Sequence, residues 1–352
     1  MTKSALRKSW KFMIDRPFAS IIIPCRNEER HIASCLDAVL AFDWPKGKLE
    51  ILLVDGMSTD KTAAIISEYA GKHPFIKLLT NPAMIAPPAM NIGIKAAKGE
   101  IIVRLDAHSE YPADYLSRCI DLLQSTNAAN AGGRFINIKN GDSVWAEAVQ
   151  FVTGHKFGVG NGVFRTGAKP GFVDTVPFGT FHRDIFDKVG YFDERLTRNQ
   201  DNEFNERLIR AGYKIAFDPE IKIYYKNQAT LGGLLKQAFS TAAWNVYTLK
   251  LFPYTFRWRR FIPAVFTLYL VSIMCIAPWL DGFVWLYTVP GAIYAVACVI
   301  ISFSAGLNIE TRLAIFITFP AYHLIYGAGT LFGILDLVSG HWRRKLGQPL
   351  KR

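Results

Sequence analysis

The chain has 352 residues and a formal charge of +12, with half its residues hydrophobic and a fifth charged, which is apolar for a purely soluble protein. From Lys226 onward, twelve Lys or Arg face only three acidic residues, whereas the first 225 residues hold 29 basic against 26 acidic. Basic charge that coincides with apolar runs points to anionic lipid headgroups, and no segment resembles a nucleic-acid-binding motif. Five cysteines without a C-x-x-C pair exclude a disulfide framework or a zinc site and read as free or buried thiols in a reducing compartment.

Residues 1–18 form a basic leader without the apolar core of a signal peptide. Two readings fit it: a short amphipathic helix that turns Trp10, Phe12 and Met13 to lipid, or an unstructured lead-in. Next come three short apolar runs, at 19–23, 51–54 and 101–105, each followed by a polar cluster and separated by helical segments starting near Glu28 and Lys61. Runs of this kind predict parallel strands covered on both faces by crossover helices, an α/β doubly wound sheet. Ligands in such sheets bind beyond the carboxyl ends of the strands. There the sequence places Arg26, Asn27 and Glu28, then Asp55, Ser58 and Asp60, then Asp106 and His108. Gly- and aromatic-rich residues follow, with a functional loop expected at 154–174 and helices at 183–190 and 202–211.

After Tyr225 the character changes. Residues 226–260 read as amphipathic interfacial helices, and 261–339 as a transmembrane region of two to three spans. The uncharged stretches are Phe261–Leu280, Phe283–Leu307 and Leu313–Leu335. Arg257, Arg259 and Arg260 should stay cytoplasmic, but three full crossings would export the basic tail at 340–352. Either the third stretch fails to cross, with Pro320 and the glycines at 327, 329 and 333 breaking it, or the charge rule fails.

Three groups carry candidate chemistry. Asp106 and His108, spaced i, i+2 at a strand end, can hold a divalent metal and leave positions for diphosphate oxygens. Imidazole favours Mn²⁺ slightly over Mg²⁺. Asp201, at the start of an amphipathic helix with Glu203 and Glu206, is a candidate general base; helix-dipole complementarity accounts for the two glutamates. Asp55, with Arg26 and Glu28, can accept hydrogen bonds from a nucleoside, while Ser58 and Asp60 cap the following helix.

The motifs PCRNE (24–28), VDGMSTD (54–60), NIGIKAAKGEIIVRLDAH (91–108) and RNQDNEFNERLIRAGYKI (198–215) resemble those of inverting family 2 glycosyltransferases over about 19–225. RLDAH, VDTVPFGT (173–180), VGYFDE (189–194) and HLIYGAGTLFG (323–333) look most like the membrane-bound bacterial succinoglycan-type exopolysaccharide glucosyltransferases. The resemblance implies a GT-A-like catalytic domain on a bacterial cytoplasmic membrane, multi-pass, with the catalytic domain in the cytoplasm. It would use a UDP-sugar donor, Mn²⁺ or Mg²⁺, and a lipid-linked saccharide acceptor. Pro24, Arg26, Glu28, Asp55, Arg104 and Asp106 would contact the donor, Asp106 and His108 the metal, and Asp201 would be the base. Gly179, Thr180, Gln200 and Trp244 would lie on the acceptor side. Asp55-Gly56 replaces a usual Asp-Asp, D-A-H a D-x-D, and Gln200-Asp201 a Glu-Asp pair, while the Q-x-x-R-W motif of processive synthases is absent. A polyprenyl-phosphate sugar synthase, a small processive synthase and a non-catalytic nucleotide-binding assembly protein are the competing readings.

Overall fold

The structure, a computed structural model, describes residues 16–160, 162–167, 169–276, 279 and 284–348. Trp10, Phe12 and Met13 of the leader lie outside the described residues. The described residues divide into two compact units: those within 1–135, 168–223 and 347–352 form the first, and those within 136–167 and 224–346 the second. Two segments lie across the linear boundary expected after residue 225: 136–167 groups with the C-terminal helices, and Gly347 and Gln348 group with the first unit.

In the first unit, β1 (Ala19–Cys25), α1 (Ile32–Leu40), β2 (Leu49–Asp55), α2 (Thr62–Lys72), β3 (Ile76–Thr80), α3 (Ala86–Ala96) and β4 (Ile101–Arg104) alternate in chain order. The later elements are β5 (Ser109–Glu110), α4 (Tyr115–Thr126), β6 (Asn130–Ile138, which runs into the second unit), β7 (Gly171–Phe172), β8 (Thr180–His182), α8 (Ile185–Val189), α9 (Gln200–Arg210) and β9 (Ile215–Lys226). The sheet runs β3-β2-β1-β4-β8-β6-β9-β5, with β7 on β9. Its first four strands are parallel, and β8 runs antiparallel to both β4 and β6. Strands β1 and β2 are almost wholly buried, which is why their sequences are unbroken apolar runs. The doubly wound half is as expected; the antiparallel half rests on pairings distant in sequence, β8 with β4 and with β6, which no local pattern announces. Strand order reverses at β1, so the crevice between the ends of β1 and β4 is the switch point where such sheets bind ligands.

One polar side chain inside this sheet is structural. Glu50, buried on β2, accepts hydrogen bonds from the Ser20 hydroxyl at 2.7 Å, the Lys98 backbone N–H at 2.6 Å and the Lys77 ammonium at 3.0 Å. Burial alone would raise its pKa, but these donors more than offset that and hold it below the usual glutamate range. A depressed folded-state pKa contributes stability above that range, and the contribution is lost as pH falls through it. Glu50→Ala is expected to cost about 2–3 kcal/mol at neutral pH in chemical denaturation, and markedly less in acid.

In the second unit the loop expected at 154–174 contains two short helices, α6 (Lys156–Val159) and α7 (Val163–Thr166), preceded by α5 (Val144–Gly154). The C-terminal helices are α10 (Leu231–Leu251), α11 (Ile262–Ile276), α12 (Val284–Phe303) and α13 (Ile309–Ser339). Neither Pro320 nor the three glycines break α13; it is one helix of 31 residues, about 46 Å long. Its glycines are points of close approach. A Cβ at Gly327 would lie 2.4 Å from the Pro263 carbonyl oxygen, and one at Gly329 2.4 Å from that of Phe239. By length and composition, α13 is the one described helix suited to crossing a membrane, and Tyr287–Phe303 is a shorter apolar helix.

Candidate active site

Three strand ends and one helix start build the site. Cys25 and Asp55 pair directly at the ends of β1 and β2, so the polar residues after each strand emerge side by side. The two loops are stitched together: Asn27 N–H donates to Ser58 Oγ at 2.9 Å, Thr59 N–H to Asn27 Oδ1 at 2.9 Å, and Glu28 N–H to Thr62 Oγ1 at 2.7 Å. Asp55 is engaged locally, accepting from both the backbone N–H and the hydroxyl of Ser58. Ser58 therefore serves this turn and not the helix cap expected of it. Asp60 does work at the helix start, accepting from Thr62 N–H at 2.9 Å. Gly56 also has a physical reason, since a Cβ there would press to 3.3 Å on the Arg26 side chain. An aspartate at that position would require Arg26 to give way slightly.

At the end of β4, the Tyr111 hydroxyl fixes the turn, accepting from Asp106 N–H at 2.8 Å. His108 Nδ1 lies 2.7 Å from Asp106 Oδ1 and 3.7 Å from Glu28 Oε1. The i, i+2 spacing thus does bring imidazole and carboxylate together, and the fold adds Glu28 from the neighbouring strand end. Burial would raise the Asp106 carboxyl pKa, but His108 and, more weakly, Arg104 hold it below the usual carboxylate range.

Asp201 reaches the same site from the first turn of α9. That helix is anchored through Glu203, whose carboxylate receives Arg207 Nε at 2.9 Å and Nη2 at 2.8 Å, while Arg207 also donates to the Val189 and Tyr191 carbonyls. Glu203 is accordingly a buried anchor more than a dipole partner. The approach to α9 is pinned by Asn91, which exchanges hydrogen bonds with the Phe192 backbone at 2.9 and 3.0 Å. Asp201 is ion-paired with Arg104 Nη1. Because Arg104 also interacts electrostatically with Asp106, one buried guanidinium links the two carboxylates. Its Nε and Gln200 Oε1 are buried without a hydrogen-bond partner among the described residues. Both are groups that a ligand can satisfy.

The remaining sequence candidates are placed as follows. Pro24 sits on β1 and is half-buried. Gly179 accepts the Arg104 N–H at 3.0 Å, so it borders the site. Thr180 is fully buried on β8, paired with Val103 of β4. Trp244 belongs to the second unit, buried with its ring edge-on to Tyr247. Sequence reasoning did not single out Tyr111, nor the role of Arg104 as the link between carboxylates; an arginine inside an apolar strand was the available signal.

A doubly wound sheet with carboxylates at its switch point and a further carboxylate from a helix start defines a GT-A-like glycosyltransferase fold. The solved structure of mannosyltransferase PcManGT from Pyrobaculum calidifontis, in complex with GDP-Man and Mn²⁺, shares it with a TM-score of 0.62 at 17% identity, covering 93% of this chain and 94% of that one. Residues 20–190 match the glycosyl transferase family 2 model. The dolichyl N-acetyl-alpha-D-glucosaminyl phosphate 3-beta-D-2,3-diacetamido-2,3-dideoxy-beta-D-glucuronosyltransferase of Methanococcus voltae is 35% identical over 235 residues, 64% of this chain and 72% of that protein. The succinoglycan biosynthesis protein ExoA of Rhizobium meliloti is 28% identical over 284 residues, 79% and 82% of the two chains. The chain belongs to glycosyl transferase family 2.

Proposed function

We propose that the protein transfers a hexose, with glucose the first candidate, from a UDP-sugar to a polyprenyl-diphosphate-linked saccharide at a bacterial cytoplasmic membrane, inverting the anomeric centre. The observation that carries this reading is the ion pair of Asp201 with Arg104, the residue two before Asp106 at the end of β4, whose charge also acts on Asp106. A donor diphosphate beside Asp106 and an acceptor hydroxyl beside Asp201 would then share one pocket, as a single in-line displacement requires. Arg26, Glu28 and Asp55 line the nucleoside end of the crevice in this reading. Asp201 takes the acceptor proton, and Gln200 Oε1 accepts a hydrogen bond from the acceptor sugar.

Divalent metal fits this site. Carboxylate and imidazole converge, His108 Nδ1 lying 2.7 Å from Asp106 Oδ1, and a two-residue ligand set would leave the remaining positions to a substrate diphosphate and water. When bound by Asp106 and His108, the ion would neutralise charge developing on the leaving diphosphate.

Lipid attachment of the acceptor is supported by the dolichyl-linked sugar phosphate in the name of the Methanococcus voltae relative, and a polysaccharide product by the succinoglycan in that of the Rhizobium meliloti relative. Apolar side chains exposed along α11, α12 and α13 support the membrane location. The test is a panel of UDP-sugars and lipid-linked acceptors with Mn²⁺ and the purified full chain. One added sugar per acceptor is expected, with UDP released in step. A ladder of products would favour a processive synthase, and donor binding without turnover on any acceptor would favour the non-catalytic reading.

A further inference from the structure

Length and composition single out α13 as the membrane-crossing helix, yet its packing and the chain that follows it say otherwise. After α13, the Gly347 N–H donates to the Arg195 carbonyl at 2.9 Å, and the Thr197 hydroxyl donates to the Gln348 carbonyl at 2.8 Å. Arg195 and Thr197 belong to the loop that leads into α9 in the first unit, as do Gly347 and Gln348. The chain therefore leaves the catalytic unit near Tyr224 and returns to it at Gly347. Between those points it must cross any bilayer an even number of times.

Packing shows which helix stays behind. The N-terminal half of α13 lies against α5: the Thr311 hydroxyl donates to Glu147 at 2.7 Å, and Ala314, Ile315 and Phe319 share a core cluster with Ala148 and Val152. Its C-terminal half lies against α10, where Asn245 Nδ2 donates to the Tyr326 hydroxyl at 2.6 Å and Gly333 abuts Ala243. The end is fastened by charge, with Asp336 accepting from Lys345 at 2.7 Å and from the Tyr247 hydroxyl at 2.6 Å. Partners that carry Glu147, Lys236 and Lys250 belong at a polar boundary. The opposite face exposes Ile309, Leu313 and Ile317 in the first half and Phe332, Leu335 and Val338 in the last, while α11 covers its middle at Gly327. Apolar side chains exposed at both ends of a helix of about 46 Å, with Glu147 bound near its start and Lys345 near its finish, are the pattern of a helix lying in the interface.

Helices α11 and α12 differ. They pair as a hairpin, with Tyr269 donating to the Tyr287 carbonyl at 3.0 Å and accepting from the Gly291 N–H at 2.9 Å. Val265, Leu268, Val271, Ile293, Val296 and Ile300 are exposed on it. The 20 residues of α12 span about 30 Å, the thickness of a bilayer core. Exposed tryptophans mark both ends: Trp258 (66%) beside the Arg257–Arg260 cluster, and Trp279 (82%) and Trp285 (63%) on either side of Asp281 in the sequence.

Resting on the membrane reading above, we propose that α11 and α12 cross the bilayer as a two-pass hairpin while α13 lies in the cytoplasmic interface. The Arg257–Arg260 cluster and the Arg343–Lys345 segment then face the same anionic leaflet, so the positive-inside rule holds with two crossings.

Single cysteines in a cysteine-free full-length chain test this in intact cells with a membrane-impermeant maleimide. Asp281→Cys should label from outside, and Ser304→Cys and Gln348→Cys only after permeabilisation. A C-terminal green fluorescent protein fusion, which folds only in the cytoplasm, should fluoresce. External labelling of Gln348→Cys with a dark fusion would overturn the proposal in favour of three crossings. Labelling of Asp281→Cys only after permeabilisation would overturn the hairpin. Recovery of the protein outside the membrane fraction would instead defeat the membrane reading on which the proposal rests.

Discussion

Replacing Asp201 with Asn is expected to lower kcat by roughly 10²–10⁴-fold while leaving the donor KM unchanged. The exchange keeps side-chain size and removes only the ability to take a proton. Because α9 is held in place by Glu203, Arg207 and Asn91, the change should not move the helix. Arg104 makes the variant informative, since its partner at Asp201 becomes neutral while its interaction with Asp106 persists. Donor affinity should therefore survive. Steady-state kinetics with varied UDP-sugar would show the split; a large rise in KM with kcat preserved would assign Asp201 to binding.

The second large effect concerns the cation. Chelation is expected to abolish transfer and Mn²⁺ to restore it, and Asp106→Asn should lower kcat/KM by roughly 10²–10³-fold at saturating metal. His108→Asp is the sharper variant, because it keeps a ligand and changes only its character. Oxygen ligands suit Mg²⁺ better than imidazole does, so the ratio of Mn²⁺- to Mg²⁺-supported rates should fall in that variant. An unchanged ratio would remove His108 from the metal shell.

Much of this site was legible in the sequence because buried parallel strands write themselves as apolar runs that stop where chemistry begins. The runs at 19–23, 51–54 and 101–105 end within two residues of the ends of β1, β2 and β4, and Asp106 and His108 meet as their spacing requires. What stayed hidden depends on contacts distant in sequence. Asp55 looked available for a nucleoside, and only the folded turn shows Ser58 engaging its carboxylate. Arg104 and Asp201 are 97 residues apart, so no local pattern joins them. Glycines and a proline in 313–335 suggested a broken helix because a glycine needed for close packing is written the same way as one that breaks a helix. The return of 347–348 to the catalytic unit likewise has no signature in the tail itself.

The most direct test is calorimetric titration of UDP in the presence and absence of Mn²⁺ into the wild type, Asp106→Asn and Asp201→Asn. Asp106→Asn should lose the Mn²⁺-dependent gain in affinity, and Asp201→Asn should keep it in full. Equal affinities in all three proteins, or a loss confined to Asp201→Asn, would contradict the division of labour between donor carboxylate and base.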